Sequence, residues 1–200
     1  MATTKKREFS GFSLEEALEL LGVENIHTWD IPHQEKEPSD FFRERFRRLE
    51  LVFDTTLSEM AKQMVIEVIF EEVALNYPKL KIFKEVPLRG ETAGGFVDYL
   101  IAPQRVLPKT PLLCVAEAKK DNFEKGMAQC LVEMMVCAER NAAEGKHQET
   151  YGIVTNGTGW QFYKREVSGA VWQSGAYGLT TTERLLGALS YVLALCEENV

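Results

Sequence analysis

The spacing of apolar residues along the chain changes between helical and extended periods. Apolar side chains that recur every three or four positions predict five helices, over residues 14–21, 41–52, 57–75, 122–143 and 182–195. Ser13 with Glu16, and Thr56 with Glu59, match the capping-box pattern, which predicts the starts of the first and third helices. Residues 26–40 are polar and contain two prolines, so we expect a long loop there.

Shorter apolar runs bounded by glycine and proline predict strands. The extended segments are 81–88, 94–103, 111–120, 151–156, 160–167 and 171–179. The order of helix, three strands, helix and further strands predicts an α/β (α+β) fold, in which a mixed sheet is flanked by helices and followed by extra C-terminal strands and a helix. We expect a domain at residues 41–200, preceded by a helix-and-loop appendage at residues 1–40.

The composition predicts a folded chain without a general attraction for polyanions. Of its 200 residues, 45% are hydrophobic, which is enough to build a core. The net charge is -7, so any contact with nucleic acid must be local. The four cysteines form no CxxC pair and lie in apolar segments, which indicates free thiols in a reducing cytoplasm. No apolar leader or membrane-spanning run is present, so we expect a cytoplasmic protein.

Two of the predicted strands carry charged residues where apolar ones would be expected. Asp98 lies inside one strand, and Glu117 and Lys119 end the next. Because strand side chains alternate faces, Glu117 and Lys119 project to the same side, where Asp98 can join them. Converging carboxylates repel unless a cation lies between them, and Mg²⁺, with Mn²⁺ as a substitute, suits oxygen ligands. A neighbouring lysine can orient the attacking water and offset charge on a phosphate.

These residues resemble the signature of the PD-(D/E)XK nuclease superfamily. The resemblance lies in GGFVDYL, followed nineteen positions after Asp98 by the Glu117 of VAEAKK, although Val97 stands where a proline often precedes the aspartate. The order of elements is similar to the αβββαβ core of the restriction-endonuclease-like fold. The resemblance implies that Asp98, Glu117 and the Ala118 carbonyl hold Mg²⁺, and that Lys119 assists hydrolysis.

The helices on either side of this motif extend the resemblance. Many members carry a glutamine on the following helix, and MAQCLVEM places Gln129 there, with Glu133 one turn later. Members often carry a glutamate on the helix before the first core strand, for which Glu67 is the candidate and Glu71 the alternate. With YGIVTNGTGWQFYKRE, the pattern over residues 57–167 most resembles the nuclease domain of type I restriction motor subunits and its stand-alone relatives.

Each of these features also has a simpler interpretation. A Glu-x-Lys pair at a strand end is explained equally by a salt bridge without function. Histidines and cysteines complete no zinc set. Four arginines on the second predicted helix either grip phosphate or form a solvated face partnered by glutamates; they are Arg43, Arg45, Arg47 and Arg48.

The sequence therefore predicts a Mg²⁺-dependent nuclease that hydrolyses DNA phosphodiester bonds in defence, repair or recombination. One alternative is a catalytically inactive nuclease-fold module that binds nucleic acid or a protein partner. Another is a small-molecule or structural protein in which the two acids are buried ion-pair partners. DNA or RNA remains open as the substrate. We expect either a homodimer, which would supply two sites for cutting both strands of a duplex, or an assembly with a partner protein.

Overall fold

The computed structural model describes residues 6–119 and 122–200, which form a nine-stranded sheet covered by helices on both faces. The strands are β1 (Arg7–Glu8), β2 (Ile26–Trp29), β3 (Leu80–Arg89), β4 (Ala93–Pro103), β5 (Cys114–Ala118), β6 (Thr150–Thr155), β7 (Gly159–Arg165), β8 (Val171–Ser174) and β9 (Tyr177–Gly178). The helices are α1 (Leu14–Leu21), α2 (Asp40–Val52), α3 (Glu59–Ala74), α4 (Phe123–Ala143) and α5 (Thr182–Glu198). Short 3₁₀ turns precede α1 and α5.

The sheet is mixed, as the sequence predicted. Its strand order is β1-β4-β5-β6-β7-β8-β2, with β3 paired to β4 and β9 to β7. Strand β4 is antiparallel to both β3 and β5, and β5 runs parallel to β6. The predicted α/β (α+β) class is confirmed at this level, with β7 to β9 and α5 following the central strands.

Two apolar layers pack against the two faces of the sheet. One layer joins α3 and α5 to side chains such as Tyr99 and Ala116. The other joins α4 and α1 to Leu100 and Val115, the neighbours of those residues along each strand. Because side chains alternate along a strand, Glu117 of β5 faces α4 as Val115 does. On β4 the alternation shifts by one residue between Val97 and Leu100, which both belong to the α4 layer, and Asp98 lies at this shift.

The N-terminal segment contributes to the same sheet. The prediction of a loop over residues 26–40 is wrong for its first four residues, because β2 pairs in parallel with the edge of β8. Trp29 ends this strand buried, and its ring stacks on Tyr151 at 6.2 Å between centroids. β1 pairs with the start of β4, and Phe9 is buried in the layer under α4. The first five residues of the predicted appendage lie outside the described ranges, and the boundary after residue 40 stays a prediction.

Of the two helix starts predicted from capping boxes, that of α1 is confirmed and that of α3 is wrong. At α1 the capping box forms as predicted, with Ser13 Oγ accepting from the Glu16 amide at 3.2 Å and the Glu16 carboxylate accepting from the Ser13 amide at 2.8 Å. At α3 the prediction of Thr56 as the cap is wrong, because Ser58 Oγ accepts from the Ala61 amide at 3.1 Å. The Thr56 hydroxyl donates to Asp54 instead, within a turn that precedes the helix.

All four cysteines are buried free thiols, at positions 114, 130, 137 and 196. Burial raises the pKa of the Cys130 thiol well above its ordinary value, which suppresses the reactive thiolate. Within the described ranges, each helix is too short or too polar to cross a bilayer.

Candidate active site

The pairing between β4 and β5 ends where their charged residues begin. The last paired residues are Tyr99 and Ala116, so one step further along each strand places Asp98 opposite Glu117. The two carboxyl groups interact, since the charge of Asp98 is, after burial, the next cause of the raised pKa of Glu117. Asp98 Oδ2 accepts a hydrogen bond from the Ala118 amide at 2.8 Å, which fixes this carboxylate against the backbone of β5. The two acids of the predicted motif therefore lie side by side at the opening of the sheet.

Glu117 is buried and has Lys119 as its cationic partner. Its residue exposure is 1%, and Lys119 Nζ donates to Glu117 Oε1. The lysine side chain keeps 17% of its surface in solvent, so the ammonium lies at the mouth of the site. The Lys119 amide donates to the Thr155 carbonyl at 2.8 Å. The backbone of β6 thereby holds the lysine at the end of β5.

Helix α4 lies under this opening and leaves room for the lysine. A Cβ atom built on Gly126 would come within 3.0 Å of Lys119 Cγ and 2.7 Å of Val154 Cγ1. Only a glycine permits this approach, because Val154 is fully buried and cannot move aside without repacking. The first turn of α4 thus supports the stem of Lys119.

Further along α4, a glutamine and a glutamate form a buried pair. Gln129 Nε2 donates to Glu133 Oε1 at 3.0 Å, and Glu133 is completely buried. Three oxygens in this region have no hydrogen-bond partner among the described residues: Glu117 Oε2, Gln129 Oε1 and Glu133 Oε2. The sequence predicted a role for Gln129 but none for Glu133. The available signal was an acidic residue inside the apolar stripe of a helix.

The shifts in pKa show carboxyl groups that are buried and close to other negative charges. Burial, and then the charge of Asp98, raise the pKa of Glu117 to about 8, although Lys119 acts in the opposite direction. Burial, and then the charge of Glu117, raise the pKa of Glu133 well above its ordinary range. Burial opposes the Lys119 ammonium, but Glu117 and Asp98 favour it, and the net effect raises its pKa. One lysine does not offset the carboxylates gathered here.

The two glutamates predicted for the preceding helix have other partners. Glu67 Oε1 pairs with Lys84 and accepts from the Tyr99 hydroxyl at 3.4 Å, on the α3 side of the sheet. Glu71 pairs with Arg45 at 2.6 Å between Oε2 and Nε. These contacts do not include Asp98 or Glu117, and a ligand role for Glu67 or Glu71 stays a prediction.

The arginines of α2 form a solvated face. Arg45 pairs with Glu71, and Arg43 binds Glu37 at 2.9 Å. Both Arg47 and Arg48 bind Glu44. Hydrogen bonds from those two arginines lower the pKa of the Glu44 carboxyl to about 2. This arrangement matches the simpler interpretation of the arginine cluster, in which the charges are already partnered.

The donor set fits a hard divalent cation that keeps part of its water shell. The described residues contain no cluster of three or more His, Cys, Asp or Glu side chains that could hold a metal ion. Of the four predicted ligands, Asp98, Glu117 and the Ala118 carbonyl belong to the adjoining strand ends, whereas Glu67 pairs with Lys84. Glu117 Oε2 is a buried acceptor without a donor among the described residues. Mg²⁺ commonly binds one or two carboxylates and completes its shell with water and substrate phosphate. The residues present therefore suit Mg²⁺ better than a closed structural metal site.

Comparison with known proteins does not place the chain in a family. No protein-family model matches the sequence, and no curated protein matches it significantly. The case for a function therefore comes from the geometry of Asp98, Glu117, Lys119 and Gln129.

We expect Glu117→Gln to stabilise the protein, and to do so more as the pH rises. A carboxyl with a folded pKa of about 8 and an ordinary value of 4.5 favours folding in its protonated form. Its contribution is complete below pH 4.5 and is lost as the pH rises through about 8. The amide of the variant stays neutral, so the difference in the free energy of unfolding should grow across that window, to on the order of 2 kcal/mol.

Urea unfolding in EDTA at pH 5 and pH 8.5 measures this difference. The groups that act on Glu117 are Asp98, Lys119 and Glu133, and all three are retained in the variant. Glu24→Gln, on an exposed glutamate, is the matched control. If the difference in the free energy of unfolding between Glu117→Gln and wild type is the same at pH 5 and pH 8.5, the burial of an ionisable carboxyl at this position is contradicted.

Proposed function

We propose that this protein is a Mg²⁺-dependent nuclease with a restriction-endonuclease-like core that hydrolyses the phosphodiester bonds of DNA. The observation that carries the proposal is the convergence of Asp98 and Glu117 where β4 and β5 stop pairing, with Lys119 bound to Glu117 at the mouth of the site. The order α3, β3, β4, β5, α4, β6 supports the core. It matches the αβββαβ order that the sequence motif implies.

Each residue has a distinct role in this proposal. Asp98, Glu117 and the Ala118 carbonyl would hold Mg²⁺, which supplies Lewis-acid activation of a phosphate and a water of lowered pKa. A bound cation would take over the charge of Glu117, which leaves the Lys119 ammonium to interact with the nucleophilic water or with the phosphate. An ammonium there stabilises the charge that develops on the phosphate in the transition state. Gln129 would add an acceptor oxygen to this site.

Contact with DNA would be local on this acidic protein. The net charge is -7, and the arginines of α2 already pair with carboxylates. Binding would therefore depend on few phosphate contacts, each of which adds about 0.9 to the slope of log affinity against log salt concentration. A homodimer or a partner protein would supply the remaining contacts and place two sites on a duplex.

Cleavage of a panel of labelled DNAs tests the function. Single-stranded, double-stranded, flapped and circular DNA are incubated with Mg²⁺, Mn²⁺ or EDTA. We expect cleavage of at least one substrate with either metal ion and none in EDTA. Folded wild-type protein that cuts no DNA in the panel with either ion would contradict the proposed function.

A specific observation favours a second candidate, a catalytically inactive nuclease-fold module that binds nucleic acid or a protein partner. Lys119 and Glu117 already form a closed ion pair, and the described residues hold no group of three acidic, histidine or cysteine ligands. In that case, neutralising Asp98 would leave binding unchanged. Retained binding of DNA or protein, with no cleavage in the panel, would support this candidate over the nuclease.

A further inference from the structure

We propose that Glu133 is a positioning residue that fixes the side-chain amide of Gln129, so that Gln129 Oε1 is presented as an acceptor to the Asp98–Glu117 site. The inference deepens the proposed function and rests on it for its catalytic consequence. The contact itself, between Gln129 Nε2 and Glu133 Oε1 at 3.0 Å, is a property of the folded protein and is testable separately.

Gln129 and Glu133 lie on the stripe of α4 that faces the end of β5. Gly126, which lies against Lys119, is three residues before Gln129, and Glu133 is four residues after it. Side chains at these spacings share one face of a helix. After burial, the charge of Glu117 is the next cause of the raised pKa of Glu133, as expected if this stripe runs beneath the carboxylates of the sheet.

The hydrogen bond to Glu133 sets the orientation of the amide. An amide has a donor end and an acceptor end, and a carboxyl group offers an acceptor oxygen whether or not it is ionised. Gln129 Nε2 donates to Glu133 Oε1, so the NH₂ end of the amide faces Glu133 and Oε1 faces away from this contact. Both residues are buried, at 6% and 0% exposure, so water does not compete strongly for this hydrogen bond.

The orientation leaves Gln129 Oε1 without a hydrogen-bond partner in the described part of the chain. A buried unpaired acceptor is costly unless a donor or a cation completes it. A nucleophilic water and a divalent cation both supply what this oxygen lacks. Without Glu133, the amide would be free to rotate and present its NH₂ group, which repels a cation and cannot accept a hydrogen bond from water.

A double-mutant cycle tests whether Glu133 acts through Gln129. Met replaces each residue, because it is apolar and of similar length. We expect Glu133→Met and Gln129→Met each to reduce kcat about tenfold, the effect of one lost hydrogen bond. The KM for DNA should change little, and the double variant should lose no more than either single one. Losses that multiply to about a hundredfold would overturn the positioning role.

Conservative and control variants complete the set. Glu133→Gln keeps an acceptor for the Gln129 amide, so kcat should stay within about threefold of wild type. Glu139→Met, six residues further along α4, is the matched control for an acid-to-methionine change in this helix. If Glu133→Met does not fold, Glu133→Gln decides: a tenfold loss of kcat in that variant would overturn the proposal.

A spectroscopic measurement keeps the test independent of the enzyme's activity. The side-chain NH₂ resonances of Gln129 are assigned by their loss in Gln129→Met, and their amide proton exchange is followed by NMR. We expect slow exchange in wild type and faster exchange with shifted resonances in Glu133→Met. Unchanged resonances would overturn the contact even in an active nuclease. If the Gln129 resonances shift in Glu133→Met but the wild-type protein cleaves no DNA, the contact is supported and the proposed function is contradicted.

Discussion

Asp98→Asn is expected to reduce metal-dependent DNA cleavage at least about 10³-fold while the protein stays folded. Removing a metal ligand costs several kcal/mol of transition-state stabilisation, and each 1.4 kcal/mol is about a factor of ten in rate. The asparagine of the variant can still accept the hydrogen bond from the Ala118 amide through its side-chain oxygen, so the splayed end of β4 and β5 should keep its shape. The loss would then come from the missing negative charge and not from altered backbone geometry.

The cleavage rate of the most active substrate in the DNA panel measures this effect, with circular dichroism and thermal unfolding as checks on folding. Asp30→Asn is the matched control, since Asp30 is exposed and follows β2 at the far edge of the sheet. It should cleave as wild type does. A folded Asp98→Asn variant with undiminished cleavage would rule out a ligand role for this residue.

Lys119→Met is expected to reduce kcat by about 10² to 10⁴ while divalent cation binding is retained. Methionine keeps much of the aliphatic stem that packs against Gly126, and removes only the ammonium. The variant also removes the group that opposes the raised pKa of Glu117, so this carboxylate becomes more dependent on a cation. We therefore expect Mg²⁺ to raise the midpoint of thermal unfolding more in Lys119→Met than in wild type.

Single-turnover cleavage and thermal unfolding with and without Mg²⁺ measure the two effects. Lys109→Met, on an exposed lysine in the loop between β4 and β5, controls for the loss of a positive charge. Equal loss of cation binding and cleavage in Lys119→Met would show that the lysine organises the metal ligands, which contradicts its assignment to the water or the phosphate.

Much of the geometry around Asp98, Glu117 and Lys119 could be predicted from the sequence because it depends on local periodicity. The period of two places Glu117 and Lys119 on one side of β5, and antiparallel pairing with β4 brings Asp98 opposite Glu117. The five helices follow equally from apolar stripes. The parallel pairing of β2 with β8 could not be predicted in this way, because residues 26–29 lie far from their partners along the chain and have no strong apolar alternation.

The role of Glu133 and the start of α3 show a second limit. A buried glutamate in an apolar stripe is visible in the sequence, but its contact with Gln129 depends on how deeply α4 packs against the sheet. Ser58 and Thr56 both qualify as caps by residue type, and the preceding turn, in which Asp54 engages Thr56, decides between them. Helix packing in the first case and the geometry of a local turn in the second thus select among options that residue type leaves equal.

The most direct test of the central claim is a Mn²⁺ titration followed by electron paramagnetic resonance, in which binding removes the signal of the free ion. Wild type and Asp98→Asn are compared at equal concentration, each with a DNA whose phosphorothioate linkages slow cleavage. The proposed site predicts that wild type takes up Mn²⁺ beyond what the DNA alone binds, and that Asp98→Asn does not. Equal uptake by the two proteins, or none by wild type, would contradict a divalent cation site at Asp98 and Glu117.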